Sequence, residues 1–208
     1  MITASAFDPS AATRQYGVVD LAGRSAGFTG TSARDYKEDR QGTAAPYTYS
    51  VQGNILTSGN VIDHAETAFR TTGCDLADKL MLALEAGATG GEGDSRCTPN
   101  GIPSDAASIE VDRGGEAAGA YLKLAVAGTG RTSAVVQLRG MFDDWRAAHP
   151  CSSGTGGAGG TDAGDTTMNS GGGGCSCNTG GRRARAHGGL ACLAVILLAA
   201  ARRRRARV

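Results

Sequence analysis

Apolar and polar residues change rhythm several times along the chain, and each change marks an element. Gln15–Leu21 alternates around Val18, Val19 and Leu21, and Arg24–Thr29 follows after Ala22-Gly23, which predicts a β-hairpin. Ser32–Ala45 is polar and charged without a period and reads as a loop. Tyr47, Tyr49 and Val51 then share one face of a strand that runs on into Gln52-Gly53-Asn54-Ile55-Leu56. Helical spacing takes over next. Val61, Ile62, Ala65, Ala68 and Phe69 form the buried face of a helix for which Asn60 is the expected cap. Leu76, Leu80 and Leu84 recur every four residues in a second helix capped by Asp75. After a glycine-rich loop at 87–103, Ser108–Val111 and Tyr121–Ala127 read as strands separated by a turn at Asp112–Glu116. Ser133–Ala148 places Val135, Leu138, Phe142 and Trp145 on one stripe of a last helix. Strands, a helix pair, strands and a helix, in that order, predict an α+β domain with an antiparallel sheet.

The rhythm stops after residue 150. Residues 151–174 are glycine, serine and threonine with little else, a composition expected of a flexible linker. Beyond it come Cys175-Ser176-Cys177, a short apolar run Leu190–Ala201, and the basic cluster Arg202–Arg205 with Arg207. As a helix that run would be about 18 Å long, short of the roughly 30 Å hydrocarbon core of a bilayer. Gly188, Gly189 and snorkelling arginines extend its reach. This layout resembles the MYXO-CTERM sorting tag of myxobacteria. The resemblance implies a tag over 175–208 with a short transmembrane helix at 188–201. It further implies export, a sorting or processing protease acting near Cys175 and Cys177, and membrane attachment at the cell surface or outer membrane of a Gram-negative envelope.

Charge sharpens this division. Residues 1–150 carry a net charge of −5 and residues 151–208 one of +6, inside an overall +1. The basic end surrounds an apolar run without interleaved aromatics, so a nucleic-acid partner is not expected. The composition admits a homo-oligomer. The start, Met1–Pro9, has neither a basic n-region nor an apolar h-region, which against an export tag implies that the chain begins late.

Cys74, Cys97 and Cys151 lie in or beside the body. In an oxidising compartment a Cys74–Cys97 disulfide is expected in preference to a reactive thiol. Cys175-Ser176-Cys177 has a metal-ligand spacing, with His187 and Cys192 as completions, but two separated ligand pairs are missing and no metal or cofactor is expected.

Several polar groups are candidates for chemistry. Gln52 and Asn54, at a strand end beside glycine, can donate hydrogen bonds to a developing oxyanion. Asp94, Ser95 and Arg96 sit in a glycine loop suited to a polar substrate. Ser95 lacks a nucleophile-elbow pattern, and His64 falls on the wet face of its helix beside Asp63, Glu66 and Arg70. Gly128-Thr129-Gly130-Arg131-Thr132 has glycines for a phosphate cradle but not the P-loop spacing, and a cap for the last helix explains it.

The blocks RQYGVVDLAGRSAGFTG (Arg14–Gly30), YSVQGNIL (Tyr49–Leu56), the helix pair and GEGDSRC (Gly91–Cys97) resemble, in order, the Ntn-hydrolase-like family catalogued as domain of unknown function 1028. That resemblance runs from about Arg14 to about His149. It implies an αββα sandwich over 1–150, incomplete at its N-terminus. The implied reaction is amide-bond hydrolysis by a nucleophile at the start of the first strand. Thr3 and Ser5 are near the start but not terminal, and the nucleophile's own free amine is the base in such chemistry. The chain as written is therefore expected to be inactive, with Gln52, Asn54, Asp94 and Arg96 as supporting groups. The alternative is a non-catalytic surface module that binds cell-wall glycan or another protein of the envelope.

Overall fold

The computed structural model describes residues 7–71, 73–112, 121–128, 130–151 and 198–201. The hairpin forms as expected. β1 (Gln15–Val19) pairs antiparallel with β2 (Ser25–Thr29), Gly17 lying opposite Gly27. The stretch read as a loop contains a strand, β3 (Glu38–Ala44), which pairs antiparallel with β4 (Tyr47–Gly53) along its full length. α1 (Asn60–Thr71) and α2 (Leu76–Gly87) follow, then β5 (Ala106–Val111) paired antiparallel with β6 (Leu122–Ala127), and α3 (Ala134–Ala148). The two- and three-stranded sheets are separate, so the architecture is a mixed α/β fold of short antiparallel sheets and three helices.

Side-chain alternation on β4 sorts the layers. Tyr49 and Val51 are buried on the helix side and join Val61, Ile62, Ala65 and Phe69 of α1, with Leu80, Met81 and Ala83 of α2, in one core. Ile109, Val111, Leu122, Val135, Leu138 and Phe142 complete it. Burying side chains of this kind contributes roughly 1.5–3 kcal/mol each. The Tyr49 and Phe69 rings lie 5.3 Å apart, and the Tyr49 hydroxyl donates to Glu66 at 2.5 Å. Burial, reinforced by that carboxylate, pushes the Tyr49 phenol up to about 12. On β3, the positions facing α1 carry Glu38 and Arg40, and Arg40 pairs with Glu38, Asp63 and Glu66. A charged cluster covers this edge, which is why no apolar alternation marked β3.

Caps follow the local chemistry with one exchange of roles. Asp75 caps α2 by accepting from the Asp78 amide at 2.9 Å. At the start of α1 the Ser58 hydroxyl accepts from the Asn60 amide, while the Asn60 side chain donates to Glu92. Asp75 also binds Arg146 of α3 through two contacts of 2.7 and 2.9 Å, and Arg146 stacks on Trp145 and Phe142.

That junction carries the disulfide. Cys74 is bonded to Cys151 across a Cα–Cα distance of 6.2 Å, which corrects the expected Cys74–Cys97 pairing. Packing of the α2 N-terminus on the α3 C-terminus brings Cys151 to Cys74, a proximity that sequence spacing does not report. Cys97 is itself disulfide-bonded and almost fully buried.

The expectations for the C-terminal tail are corrected as well. Of the apolar run at 188–201, Leu198–Ala201 is described, and it is a strand, β7, paired antiparallel with Tyr47–Ser50 of β4. Its main-chain groups pair with a sheet edge instead of closing helical turns. Among the described residues no helix is long and apolar enough to cross a membrane. The strand corrects the transmembrane helix expected at 188–201, and with it the membrane attachment through that helix and the cell-surface and outer-membrane localisation that rested on it. Cys175, Cys177 and the linker at 151–174 beyond Cys151 lie outside the described residues.

Candidate functional site

The other face of β4 is polar. Thr48, Ser50 and Gln52 point away from the helices and are all buried. Their partners on β3 in the ladder are Thr43, Gln41 and Asp39. The β1–β2 hairpin covers this face, and glycines set how closely. A Cβ on Gly17 would lie 2.9 Å from Ser50 Oγ and 3.0 Å from Gln52 Oε1, and one on Gly27 would overlap Gln41 and Asp39. Two sheets stacked face to face ordinarily meet through interdigitated apolar side chains. Here they meet through amides, hydroxyls and a carboxylate.

These groups form one chain of hydrogen bonds. Asn54 Nδ2 donates to Gln15 Oε1 at 3.0 Å. Gln15 Nε2 lies within bonding distance of Thr29 Oγ1, the Glu38 carbonyl and the Gly53 carbonyl, at 3.0, 3.1 and 2.9 Å. Thr29 donates to Asp39, and Gln41 Nε2 donates to the other Asp39 oxygen at 3.0 Å and to Ser50 Oγ at 3.4 Å. Gln15 therefore ties the hairpin to both strands of the sheet beneath. Gln52 stands apart: it is 3 % exposed, and its Oε1 has no hydrogen-bond partner. Leaving a buried acceptor unsatisfied costs about 1–3 kcal/mol.

Strain adds to the cost next door. Ile55 has φ of 60°, a left-handed conformation that is an outlier for a β-branched residue and costs on the order of 1–3 kcal/mol. Its amide donates to the Arg34 carbonyl at 3.0 Å, and its carbonyl accepts from the Ser95 amide at 2.9 Å. The bend carries the chain from Asn54 to Leu56, which bridges to Asp94. Two of the sequence candidates thus come from adjacent segments, joined through backbone.

Asp94 is nearly fully buried and pairs side-on with Arg96, with Nε–Oδ1 at 2.9 Å. Its own amide donates to the Pro103 carbonyl at 2.8 Å, and the Arg96 amide closes back on Oδ1 at 2.8 Å. The Asp94 carboxylate holds the Arg96 guanidinium in its charged form more strongly than usual. No hydrogen bond among the described residues connects Asp94 to the Gln52–Asn54 network. Ser95 and His64 are exposed. In the glycine turn before α3, the Gly130 amide donates to buried Asp105 at 2.6 Å, so the anion held by that turn is the protein's own carboxylate.

Sequence reading found Gln52 and Asn54 but missed Gln15, Thr29, Asp39, Gln41 and Ser50. The available signal was the complement of the apolar pattern. Once Tyr47, Tyr49 and Val51 occupy one face, Thr48, Ser50 and Gln52 must occupy the other.

The Cys74, Asp75 and Cys151 ligand atoms are the one group among the described residues close enough to hold a metal, within 4.8 Å of one another. With both sulfurs in the disulfide and Asp75 bound to Arg146, this group does not fit a resident ion.

No curated protein matches the chain. A crystal structure of a Silicibacter pomeroyi protein assigned to a family of unknown function is similar, at 21 % identity and a TM-score of 0.49, over 68 % of this chain and 56 % of that one. The chain thus spans little more than half the length of that protein. The model of the same family, DUF1028, matches residues 2–136, and the chain belongs to this family of unknown function.

Proposed function

We propose that the protein is an amide-bond hydrolase of the Ntn type, with residues 1–150 as its functional unit and the polar layer under the β1–β2 hairpin as its working face. One observation carries this reading: the buried Gln52 carboxamide with an unpartnered Oε1, beside the hydrogen-bond network that runs from Asn54 to Ser50. An orphaned acceptor beside a strained residue is destabilising twice over, and such costs persist where a ligand redeems them.

Amide hydrolysis needs a nucleophile, a base and N–H donors aimed at the oxygen where charge develops. Asn54 gives one amide hydrogen to Gln15 and has a second to offer. Gln52 supplies an acceptor for a substrate N–H. Ser50 carries the more deeply buried of the two β4 hydroxyls in the layer, and its partner is the Gln41 amide, not a base. No histidine is hydrogen-bonded to the layer among the described residues. These side chains therefore bind and orient the substrate and stabilise charge, and the proton transfer is assigned to none of them. The lack of a base bond also favours a second reading, a binding module for a polar ligand without turnover.

A panel of fluorogenic N-acyl amides, followed by mass spectrometry with an acylating probe, separates the two when run on forms in which Thr3 or Ser5 is the terminal residue, so that the nucleophile has its own free amine. The hydrolase reading expects turnover that falls at least about tenfold in Gln52→Leu, with little change in stability because the substitution removes an unsatisfied acceptor. Ligand binding without turnover or adduct across the panel would leave the binding module and sink the hydrolase.

A further inference from the structure

The Cys74–Cys151 bond lies at the surface. Both of its residues are exposed, whereas the disulfide-bonded Cys97 is 1 % exposed. A reductant in solution therefore reaches the Cys74–Cys151 bond first. Opening it does not set the two cysteines adrift. Arg146 binds Asp75, the neighbour of Cys74, through contacts of 2.7 and 2.9 Å. It also donates to the His149 carbonyl at 3.1 Å, two residues before Cys151. The Cys74 amide is fixed separately and donates to the Asp78 carboxylate at 3.1 Å. The start of α2 and the end of α3 are thus joined by an ion pair that owes nothing to the sulfurs.

We propose that Cys74, Cys151 and Asp75 form a redox-gated site for a zinc-class ion, closed as the disulfide and opened to metal by a dithiol reductant. A thiolate of the dithiol attacks one sulfur, the S–S bond breaks, and the other cysteine leaves as a thiolate. The second thiol of the reductant then displaces the remaining cysteine and closes a disulfide in the reductant. The protein gains two electrons and two protons, and the dithiol is oxidised by the same amount. A divalent ion replaces the two thiol protons, which pass to solvent. The geometry is close to what the ion needs. The three ligand atoms already lie within 4.8 Å of one another, and tetrahedral bonds of about 2.0–2.3 Å draw ligands to roughly 3.5 Å apart. Two thiolates select zinc over magnesium or calcium, and water takes the fourth position. Arg146 changes its part with the redox state. Beside the disulfide its guanidinium opposes a cation at Asp75. After reduction, one divalent ion with two thiolates and a carboxylate carries a single negative charge, which Arg146 balances while keeping the outer hydrogen bond that ligating carboxylates ordinarily have. The site is separate from the polar layer and independent of the hydrolase reading.

The test titrates cobalt(II), whose thiolate complexes absorb in the near ultraviolet, into the full chain before and after mild phosphine reduction. Non-reducing peptide mapping establishes that the Cys74–Cys151 bond is the one opened. The expected result is a thiolate-to-cobalt band in the reduced chain that saturates at one ion per chain and is bleached by zinc, with no band in the oxidised chain. Cys151→Ser should abolish it. Asp75→Asn, which keeps the helix cap, should raise the half-saturating cobalt concentration at least about tenfold. The double variant Cys175→Ser, Cys177→Ser should titrate like the unmodified chain. No band after reduction, its loss in that double variant, or its survival in Cys151→Ser would overturn the proposal. Should Cys151→Ser not fold, alkylation of the reduced, unmodified chain decides the matter. Zinc should slow labelling of Cys74 and Cys151 by about tenfold or more, and equal rates with and without zinc refute the site.

Discussion

Successive residues of β4 look into two different kinds of matter. Tyr49 and Val51 enter an apolar core built by three helices, in which any buried side chain of the right volume lowers the free energy. Ser50 and Gln52 enter a layer in which each atom needs a particular partner, and one atom lacks it. The first environment is tolerant and supplies most of the stability. The second is intolerant, contributes little net stabilisation, and is the place where a specific ligand can be recognised.

The largest effect is expected on the helix side, from its covalent closure. Cys74→Ser opens a loop with a sequence separation of 77, which in the chain-entropy model costs about 4.5 kcal/mol. Thermal denaturation measures the loss, and non-reducing peptide mapping should recover a Cys74–Cys151 fragment. Close behind comes Phe69→Ala, which empties a fully buried site against Tyr47 and Tyr49 and is expected to cost about 4 kcal/mol in urea unfolding. A loss below about 1 kcal/mol would mean that the core is looser than its burial implies.

The polar side should respond by displacement more than by unfolding. Gly27→Ala puts a methyl into the ends of the Gln41 and Asp39 side chains, which must swing aside and loosen their bonds to Ser50 and Thr29, at about 1–3 kcal/mol. Because the hairpin is tied down through Gln15, amide exchange at Thr29 and Gly53 should accelerate while exchange in α1 does not. Acceleration in both would show that the two faces are not separable.

The smallest effect is electrostatic. The Thr57 hydroxyl, working against partial burial and helped by Asn60 and Ser58, holds the Glu92 carboxyl below its usual range. A carboxyl depressed on folding contributes stability above its unfolded pKa of about 4.3, and that contribution is lost as pH falls through the folded value. Urea midpoints of the wild type should therefore drop more than those of Glu92→Gln on going from about pH 5 to about pH 3. Parallel curves would show that Glu92 is not what ties the start of α1 to the loop ahead of Asp94.

Elements with a distinct apolar rhythm were legible in the sequence, whether or not that face is buried, since Val18 of β1 is exposed. Val18 and Val19 with the glycine turn marked the hairpin, Val61 through Phe69 marked α1, and Val135, Leu138 and Phe142 marked α3. Asp75 was recognisable as a cap because its role is local. Gln52 and Asn54 were found for their chemistry and position at a strand end. The network around them was not found, because Gln15, Asp39 and Ser50 are far apart in sequence and polar residues between two sheets look, in one dimension, like residues facing water.

What the sequence by itself determined is the set of periodicities: which segments present an apolar face, and at which spacing. Only the tertiary structure decided what those faces meet. It made β3 a strand although one face is charged and the other polar, since Arg40 could pair with α1, Asp39 with Thr29 of the hairpin, and Gln41 with Asp39 and Ser50. It joined Cys74 to Cys151, because packing of α2 on α3 sets that distance. It turned Leu198–Ala201 into a strand, because an apolar run satisfies its backbone equally in a helix or at a sheet edge, and β4 offered the edge.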